Sequence, residues 1–365
     1  MRRKVWLLIL VLAACGAAQA QWEMESSGTT ADLRGIDNVG GGVAWASGTN
    51  GTVLRTEDGG YLWQACAVPP GAEHLDFRGV QAFDANTAIV MSSGKGDLSR
   101  LYKTTDGCQT WKLVFTNPDA PDGFFDCVWI HPTGYGILLG DPVNGRFAVW
   151  ETADGGIHWQ PNRRNGLEIK GKAISASAAS NSLFSQTRSG YMRGFVTGGQ
   201  GGAFLIQSWS SSHWTRIPIP IASGAESAGV FSLGLRYAMP RCTDCEHPSD
   251  SFFVAVGGDY KNPNEGSGTA AFSIDGGWTW APAITTPHGY RSAVAYDAAS
   301  KTWITVGPNG TDISTDDGKN WRALHPDPAM HETPGADRDW NALSLPFVVG
   351  PHGRIGKLNE KALAH

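Results

Sequence analysis

Several features are scarce in this chain of 365 residues, and each scarcity excludes a class of function. Basic residues form no run after the first positions, and 29 of them stand against 34 acidic ones, so nothing favours nucleic acid as a partner. After the first twenty residues no apolar stretch is long enough to cross a membrane. Nucleotide fingerprints, haem motifs and clusters of metal ligands are also missing, and we therefore expect no cofactor and no metal.

Residues 1–20 look like an export signal, because basic residues precede an apolar stretch that small residues follow. Two processing sites compete in it. Leu-Ala-Ala-Cys at residues 12–15 matches a bacterial lipobox and would leave a lipid anchor on Cys15, whereas Ala-Gln-Ala at residues 18–20 suits ordinary signal peptidase. We expect a protein exported to the periplasm or beyond, with membrane contact only through an anchor at Cys15.

Glycine and tryptophan are abundant, with 47 and 15 copies, and many fall in one recurring motif. Its clearest copy is Thr-Glu-Asp-Gly-Gly-Tyr-Leu-Trp at residues 56–63, where a hydroxyl residue precedes the acid and a tryptophan closes the motif. The glycines supply the positive φ that a tight hairpin needs, and the carboxylate can accept backbone N–H groups within the turn. The acids of this motif are Asp58, Asp106, Asp154, Asp275 and Asp316.

The spacing of these acids indicates a repeat protein. The gap between Asp154 and Asp275 is more than twice as long as each of the others, so a degenerate copy is expected inside it. Residues 208–214 fit, because they keep the hydroxyl residue and the final tryptophan but carry Trp209 in place of the acid. A repeat of roughly 40 to 50 residues with many short strands is typical of a β-propeller with four-stranded blades.

The last repeat is too short to form a blade by itself. Three strands are predicted within residues 340–358, whereas residues 21–26 look like the fourth strand of a blade without a motif before it. In our prediction this N-terminal strand completes the last blade, which removes exposed strand edges. We predict an all-β fold, a seven-bladed β-propeller with four-stranded blades, that spans residues 21–365 as one monomeric domain.

The repeated motif resembles the Asp box, or bacterial neuraminidase repeat, of sialidase-type propellers. Residues 33–36, 45–48 and 51–60 also resemble the repeats of photosystem II assembly-factor propellers, a type that many bacteria without photosynthesis export. That family implies a non-enzymatic platform for assembly or binding. The sialidase family implies instead a glycoside hydrolase, and a polysaccharide lyase is a related possibility.

The cysteines give two expectations. Cys242 and Cys245 form a Cys-x-x-Cys followed by His247, and since no second pair completes a metal site we expect a loop disulfide there. Cys66 with Cys108 is the other predicted pair, because both lie near the outer hairpins of adjacent predicted blades.

Ligands of propellers meet loops at one end of the central channel, whereas the acids of the motif lie on outer hairpins and are expected to be structural. The residues that the repeat places at the channel mouth are Arg34, Arg78, Asp126, Asp141, Arg146, Glu226, Asp259, Tyr260, Arg291, Asn309, Asp312 and Arg354. Arginines and carboxylates that converge suit a carboxylate- or hydroxyl-rich ligand, because Arg holds a carboxylate with two parallel N–H bonds. Alternatively, these groups pair with each other and only fill a polar channel.

The two resemblances give two functions. In the sialidase arrangement the substrate carboxylate would be bound by Arg34, Arg78 and Arg291. The nucleophile would be Tyr260, assisted by Glu226. The acid would be Asp141 or Asp259. The Arg-Ile-Pro of a typical sialidase is absent, and a two-carboxylate hydrolase using Asp141 and Asp259 is an equal alternative. We favour the assembly-factor interpretation, in which the mouth binds a polar or anionic small molecule, a glycan or an envelope protein, because fold resemblance alone does not carry catalysis.

Overall fold

The computed structural model describes residues 21–169, 174–177, 179–187, 190, 192–237, 250–326, 332–359 and 363. The signal predicted for the first twenty residues and the Cys-x-x-Cys of Cys242 and Cys245 lie outside this part of the chain. Regular structure within it is almost entirely β-strand, with a 3-10 turn at Gly96–Leu98, so the all-β prediction is confirmed. No helix among the described residues has the length and apolar character needed to cross a bilayer.

Short strands follow one another along the whole described chain. In the first half they are β1 (Trp22–Glu25), β2 (Leu33–Gly40), β3 (Val43–Gly48), β4 (Val53–Thr56), β5 (Gln64–Ala65), β6 (Phe77–Ala82), β7 (Ala88–Ser92), β8 (Arg100–Thr104), β9 (Lys112–Thr116), β10 (Phe125–Ile130), β11 (Gly136–Val143), β12 (Arg146–Thr152) and β13 (Gln160–Pro161). In the second half they are β14 (Ile174–Ser175), β15 (Phe184–Gln186), β16 (Met192–Gly199), β17 (Ala203–Ser208), β18 (Thr215–Pro218), β19 (Ala228–Tyr237), β20 (Ser251–Asp259), β21 (Ala270–Ser273), β22 (Ala281–Pro282), β23 (Ala293–Asp297), β24 (Thr302–Gly307), β25 (Gly310–Ser314), β26 (Arg322–Leu324), β27 (Ala342–Ser344), β28 (Phe347–Val349) and β29 (Ile355–Leu358).

Most of these strands form four-stranded antiparallel sheets. The strand orders are β2-β3-β4-β5, β6-β7-β8-β9, β10-β11-β12-β13, β23-β24-β25-β26 and β27-β28-β29-β1. A nine-stranded sheet has the order β18-β17-β16-β19-β20-β21-β22, with β14 and β15 both paired to β16. One residue pair, Gly198 with Gly229, joins its two halves. A Cβ on Gly229 would lie 2.2 Å from the Cα of Gly198, so glycine permits this close approach.

The N-terminal strand β1 is antiparallel to the last strand, β29. Trp22 lies opposite Leu358 and Glu25 lies opposite Ile355. The strands β2, β6, β10, β15, β19, β23 and β27, which we call the first strands, contact one another in this order, and β27 also contacts β2. The edge of the last sheet is therefore covered by a strand from the opposite end of the chain.

The motif copies form hairpins between the third and fourth strands of their sheets, and we call these the box hairpins. Thr56 Oγ1 donates to Asp58 Oδ1 at 2.8 Å, Leu62 N donates to the same oxygen at 3.0 Å, and Gly60 N donates to Thr56 Oγ1 at 3.0 Å. Equivalent hydrogen bonds recur at Asp106, Asp154, Asp275 and Asp316. Each acid thus closes its own turn.

The degenerate hairpin at residues 208–214 uses its extra tryptophan differently. The ring of Trp209 packs edge-on against Tyr135, with centroids 4.9 Å apart, and covers the guanidinium of Arg193 at 5.2 Å. Arg193 is buried and pairs with Glu151 at 2.7 Å. An aromatic cover for a buried cation therefore stands where the other hairpins have a turn-closing acid.

A disulfide joins Cys66, after the first box hairpin, to Cys108, within the second one. This confirms the predicted pair. It links two neighbouring sheets near their fourth strands, of which β5 is exposed and β9 is partly exposed. Cys127 is buried and free.

Candidate functional site

A cavity of about 580 Å³ opens where the first strands of the sheets begin, and we call it the mouth cavity. Strand residues of four sheets line it, together with loop residues next to β23, β24 and β27. The sequence-predicted residues among them are Arg34, Arg78, Asp126, Asp141, Glu226 and Tyr260. Half of the predicted site residues thus meet in one concave surface.

The basic side of the mouth cavity is formed by Arg34 on β2 and Arg78 on β6. Their Nε atoms lie 3.0 and 2.8 Å from the two carboxylate oxygens of Asp76, which holds the guanidinium groups side by side. Within the described residues, no other hydrogen bond or ion pair is found for either arginine, and both side chains are partly exposed. Their terminal nitrogens are therefore available to a ligand.

The acidic side consists of Asp126 on β10, Asp141 on β11, and Glu226 before β19. Asp126 is buried, whereas Glu226 is exposed. Asp141 Oδ1 accepts a hydrogen bond from Ala176 N at 3.1 Å, and burial raises the pKa of Asp141 to about 6. Asp141 therefore changes its charge within the range of pH in which most proteins work.

Aromatic rings form the wall next to Glu226. The ring of Phe231 lies edge-on to Tyr290, with centroids 4.9 Å apart, and 6.0 Å from Tyr260. Tyr290 is buried, and burial raises the pKa of its hydroxyl. Tyr260 keeps half of its surface exposed, so its ring can contact a ligand.

Glu226 and Tyr260 line the same cavity, and a backbone hydrogen bond joins the segments that carry them, although the sequence alone does not show this. Tyr260 N donates to the carbonyl of Ser227 at 3.2 Å, and the Ser227 hydroxyl bonds to Asp259 and lowers the pKa of that carboxyl. Asp259 itself is directed away from the mouth cavity. It accepts hydrogen bonds from Lys261 N at 3.0 Å and Asn262 Nδ2 at 2.7 Å, in the loop that follows β20.

The remaining predicted residues also lie outside the mouth cavity, and Arg291 is the clearest case. Arg291 has no exposed surface, and it donates to Asp312 at 2.8 Å and to Asn309 at 2.5 Å. His288 Nδ1 lies 2.9 Å from Asp312, and this hydrogen bond raises the pKa of His288. Because these predicted residues satisfy one another, Arg291 does not line the cavity as the sialidase arrangement requires.

Arg146 and Arg354 are held by local contacts. Arg146 pairs with Glu168 and donates to the carbonyl of Asn162 at 3.3 Å. The guanidinium of Arg354 lies 4.4 Å from the ring centre of Trp340 and donates to a backbone carbonyl. Neither side chain lines the mouth cavity.

Comparisons with known proteins identify the fold. No family model matches the sequence, and no curated protein matches it. The solved structure of "YCF48 bound to D1 peptide" has a TM-score of 0.60 and 18% identity, covering 93% of this chain and 96% of that one. "YCF48 from Cyanidioschyzon merolae" has a TM-score of 0.59 and 20% identity, covering 94% of this chain and 100% of that one. The GH74 xyloglucanase from Xanthomonas campestris gives 0.59 and 13%, covering 93% of this chain and 54% of that one.

The chain has a β-propeller fold. YCF48 is a photosystem II assembly factor, so the predicted resemblance to that type of propeller is confirmed at the level of the fold. With identities of 20% or less, the function has to be argued from the site of this chain.

One feature of the propeller site was not predicted, although the stretch is rich in Ser and Ala. Between β14 and β15 the chain contacts the first strands of other sheets. Asn181 Nδ2 donates to Val80 O at 3.2 Å, Asn181 Oδ1 accepts from Val128 N at 2.8 Å, and Ser182 O accepts from Leu233 N at 2.8 Å. These contacts reach the first strands β6, β10 and β19. The described residues of 175–179 line the mouth cavity and residues 180–182 line a second cavity, so we call the described residues of 175–182 the floor segment.

Beneath the floor segment the propeller channel holds a second cavity of about 270 Å³, the inner cavity. Asp37 lines it and accepts hydrogen bonds from Ala82 N at 2.8 Å and Gln81 Nε2 at 3.1 Å. Burial raises the pKa of Asp37 to about 7. Asp37 lies in the middle of β2, and no local sequence signal distinguishes it from a solvent-facing acid.

Proposed function

We propose that this propeller is a binding platform that holds a segment of a partner protein in the mouth cavity. The observation that supports this most directly is that Asp76 pairs with both Arg34 and Arg78, with their terminal nitrogens available at the cavity. A cavity of this volume suits a few residues of an extended chain. A propeller of the same fold has been solved as "YCF48 bound to D1 peptide", which supports a peptide as the occupant.

We further propose that the propeller has seven blades and that the N-terminal strand closes the ring. The nine-stranded sheet supports this count, because a single residue pair joins its halves and each half holds strands for one blade. The pairing of β1 with β29 and the packing of β27 against β2 support closure. Residues 21–365 then form one domain.

We also propose that the protein is exported. The disulfide between Cys66 and Cys108 supports an oxidising compartment, because cytoplasmic thiols are kept reduced. The signal proposed for the first twenty residues agrees with this. Mass spectrometry of the protein from its native cells tests it, since cleavage leaves an N-terminus at Gln21 or a lipid on Cys15, and an intact N-terminus would contradict export.

Selection of binding peptides tests the platform function. The purified protein is used to select from a displayed library of short peptides, and the enriched peptides are then measured against a variant with Arg34→Ala and Arg78→Ala. The proposal expects the enriched peptides to lose at least about tenfold in affinity for this variant. Enriched peptides that bind the variant equally well, or a library that yields no binder, would overturn it.

One observation favours a second candidate function, a carbohydrate-active hydrolase or lyase. Asp141 has a raised pKa of about 6 in a cavity that also holds Arg34 and Arg78, and Glu226 and Tyr260 line the same cavity. A protonated carboxyl next to an ionised one is the arrangement that glycoside cleavage uses.

Turnover of chromogenic glycosides and acidic polysaccharides tests this candidate. If the protein is such an enzyme, Asp141→Asn or Glu226→Gln abolishes turnover, whereas Asp259→Asn retains it because Asp259 lies outside the mouth cavity. No turnover with the wild-type protein across the panel would favour the binding platform.

A further inference from the structure

The charges around the mouth cavity do not balance. Two guanidinium groups, of Arg34 and Arg78, meet the carboxylate of Asp76 between them and those of Asp141 and Glu226 on the other side. When these acids are ionised, negative charge exceeds positive charge. A ligand that carries only an anionic group would therefore leave the acidic side uncompensated.

The two signs are also separated in space. The arginines begin the first strands of the first two sheets, whereas Asp126 and Asp141 belong to the third sheet and Glu226 precedes β19. The floor segment lies between the third sheet and β19 in chain order and contributes small side chains, Ser175 to the mouth among them. The cavity thus has a basic side and an acidic side rather than alternating pairs.

The acidic side has the composition of a site for a cationic group. No ion pair to Asp141 or Glu226 is found in the described ranges of the chain, so neither carboxylate is already neutralised by a protein cation. Tyr260, half-exposed, lines the same cavity as Glu226, and its backbone N–H donates to the carbonyl of Ser227, the residue after Glu226. A carboxylate beside an aromatic face attracts Lys and Arg side chains by ion pairing and by cation–π contact.

We propose that the partner segment is bipolar, with an acidic group that contacts Arg34 and Arg78 and a Lys or Arg side chain that contacts Asp141 and Glu226 beside Tyr260. This rests on the proposed binding function and adds the chemical class of the ligand. A purely acidic segment is repelled by Asp141 and Glu226, and a purely basic one is repelled by the arginines.

Synthetic peptides of defined charge test the proposal. Short acetylated and amidated peptides carry one Asp and one Lys at varied separation, and matched peptides replace Asp by Asn, Lys by Gln, or both. Affinities are measured by calorimetry for the wild-type protein, for Asp141→Asn with Glu226→Gln, and for a control with Glu73→Gln and Glu265→Gln. The control removes the same charge from exposed positions that do not line the mouth cavity.

The proposal expects the Lys-to-Gln change to weaken binding by about fivefold to tenfold in the wild-type protein and in the control. In the variant with Asp141→Asn and Glu226→Gln, that change has no effect. Binding that depends on Asp but not on Lys would overturn the bipolar ligand and leave the binding platform standing. Absence of binding for every charged peptide at every separation would count against both.

The pH dependence of peptide affinity provides a second test, and the direction of the change can be stated in advance. Burial holds the pKa of Asp141 near 6, and a bound cation stabilises the ionised form. The charged groups that face the same cavity are Arg34, Arg78, Asp126 and Glu226. The benefit of Lys over Gln is therefore expected to shrink as the pH falls below about 6, and Lys binding to release a proton near that pH. A benefit that stays constant from neutral pH to pH 5 would contradict a contact with Asp141.

Discussion

The box hairpins and the mouth cavity use the same residue types for opposite purposes. In the hairpins the acids are satisfied inside their own turns, as Asp58 is by Thr56 and Leu62. At the mouth, Asp141 accepts one backbone hydrogen bond, and the terminal nitrogens of Arg34 have no partner among the described residues. A polar group whose hydrogen bonds are made locally stabilises the fold, whereas one left facing a cavity is available to a ligand.

This comparison predicts that changes in the hairpins reduce stability without changing binding, and that changes at the mouth do the reverse. The following variants test the separation, from the largest expected effect to the smallest.

The largest effect is expected for Trp63→Ala. Trp63 is buried, packs edge-on against Phe347 at 5.5 Å and donates to Glu25 at 2.7 Å. Its removal leaves a cavity between the first and last sheets and costs about 3 to 5 kcal/mol of unfolding free energy. Urea unfolding measures this. Tyr61→Ala is the control in the same hairpin, because its side chain is almost fully exposed, and an equal loss in both variants would contradict the packing argument.

A smaller loss is expected when the outer disulfide is removed. Replacing Cys66 and Cys108 by Ala removes a constraint on the unfolded chain and so raises its conformational entropy. The unfolding free energy is expected to fall by about 2 to 4 kcal/mol. Because the bond lies on the outer hairpins, peptide affinity stays unchanged. Unfolding with and without a reductant checks the first point, since the variant no longer responds to reductant. Weaker peptide binding would show that the two regions are coupled.

At the mouth, the conservative pair Arg34→Lys and Arg78→Lys is expected to weaken binding of an acidic peptide by about threefold to tenfold. Lys keeps the charge but lacks the two-pronged donor geometry, and it cannot keep the same contact to Asp76. The melting temperature changes little, because both side chains are partly exposed. Calorimetry and thermal unfolding on the same samples provide the measurement. A large fall in stability with unchanged affinity would show that these arginines stabilise the fold and do not bind the peptide.

Asp37, which lines the inner cavity beneath the floor segment, is expected to make the stability of the protein depend on pH. Burial raises the pKa of Asp37 from 3.8 to about 7 in the folded protein, so the folded state binds this proton more tightly than the unfolded chain does. The contribution of Asp37 to stability is therefore largest at low pH and is lost as the pH rises from about 4 through about 7. Asp37→Asn is expected to flatten this decline in unfolding free energy. A variant with the same pH profile as the wild type would contradict it.

The smallest effect is expected for Asp106→Asn in the second box hairpin. Hydrogen bonds from Thr110 lower the pKa of Asp106 to about 2, so its contribution to stability is present above pH 4 and is lost as the pH falls towards 2. The group is fully exposed, and we therefore expect only a small fall in melting temperature at neutral pH, with unchanged peptide affinity. Thermal unfolding at pH 7 and pH 3 checks this, because the difference between variant and wild type has to shrink at the lower pH.

The sequence predicted the parts that depend on local order. The hydroxyl, acid and tryptophan of residues 56–63 recur at a fixed offset, so the hairpins and the strands on either side of them follow from spacing. The Cys66–Cys108 pair follows because the repeat places both thiols on adjacent hairpins. Arg34, Arg78 and their counterparts at the mouth were found because the repeat fixes where first strands begin.

The parts that depend on contacts across the channel were not predictable in this way. Arg291 starts a predicted first strand, yet Asp312 and Asn309 bind it and bury it. Asn181 lies in a stretch whose pairing to β16 is interrupted, and its hydrogen bonds to Val80 and Val128 reach two other sheets. No period in the sequence carries information about such contacts.

The most direct test of the proposed binding platform is to map where a bound peptide lies. A peptide selected for tight binding is synthesised with a photoreactive group, cross-linked to the purified protein, and the attachment site is read by mass spectrometry. If the mouth cavity holds the peptide, the group attaches to mouth residues such as Ser177, Tyr260 and Asn341, and attachment is lost in the variant with Arg34→Ala and Arg78→Ala. Attachment to box hairpin residues such as Tyr61 or Ile157, unchanged in that variant, would contradict it.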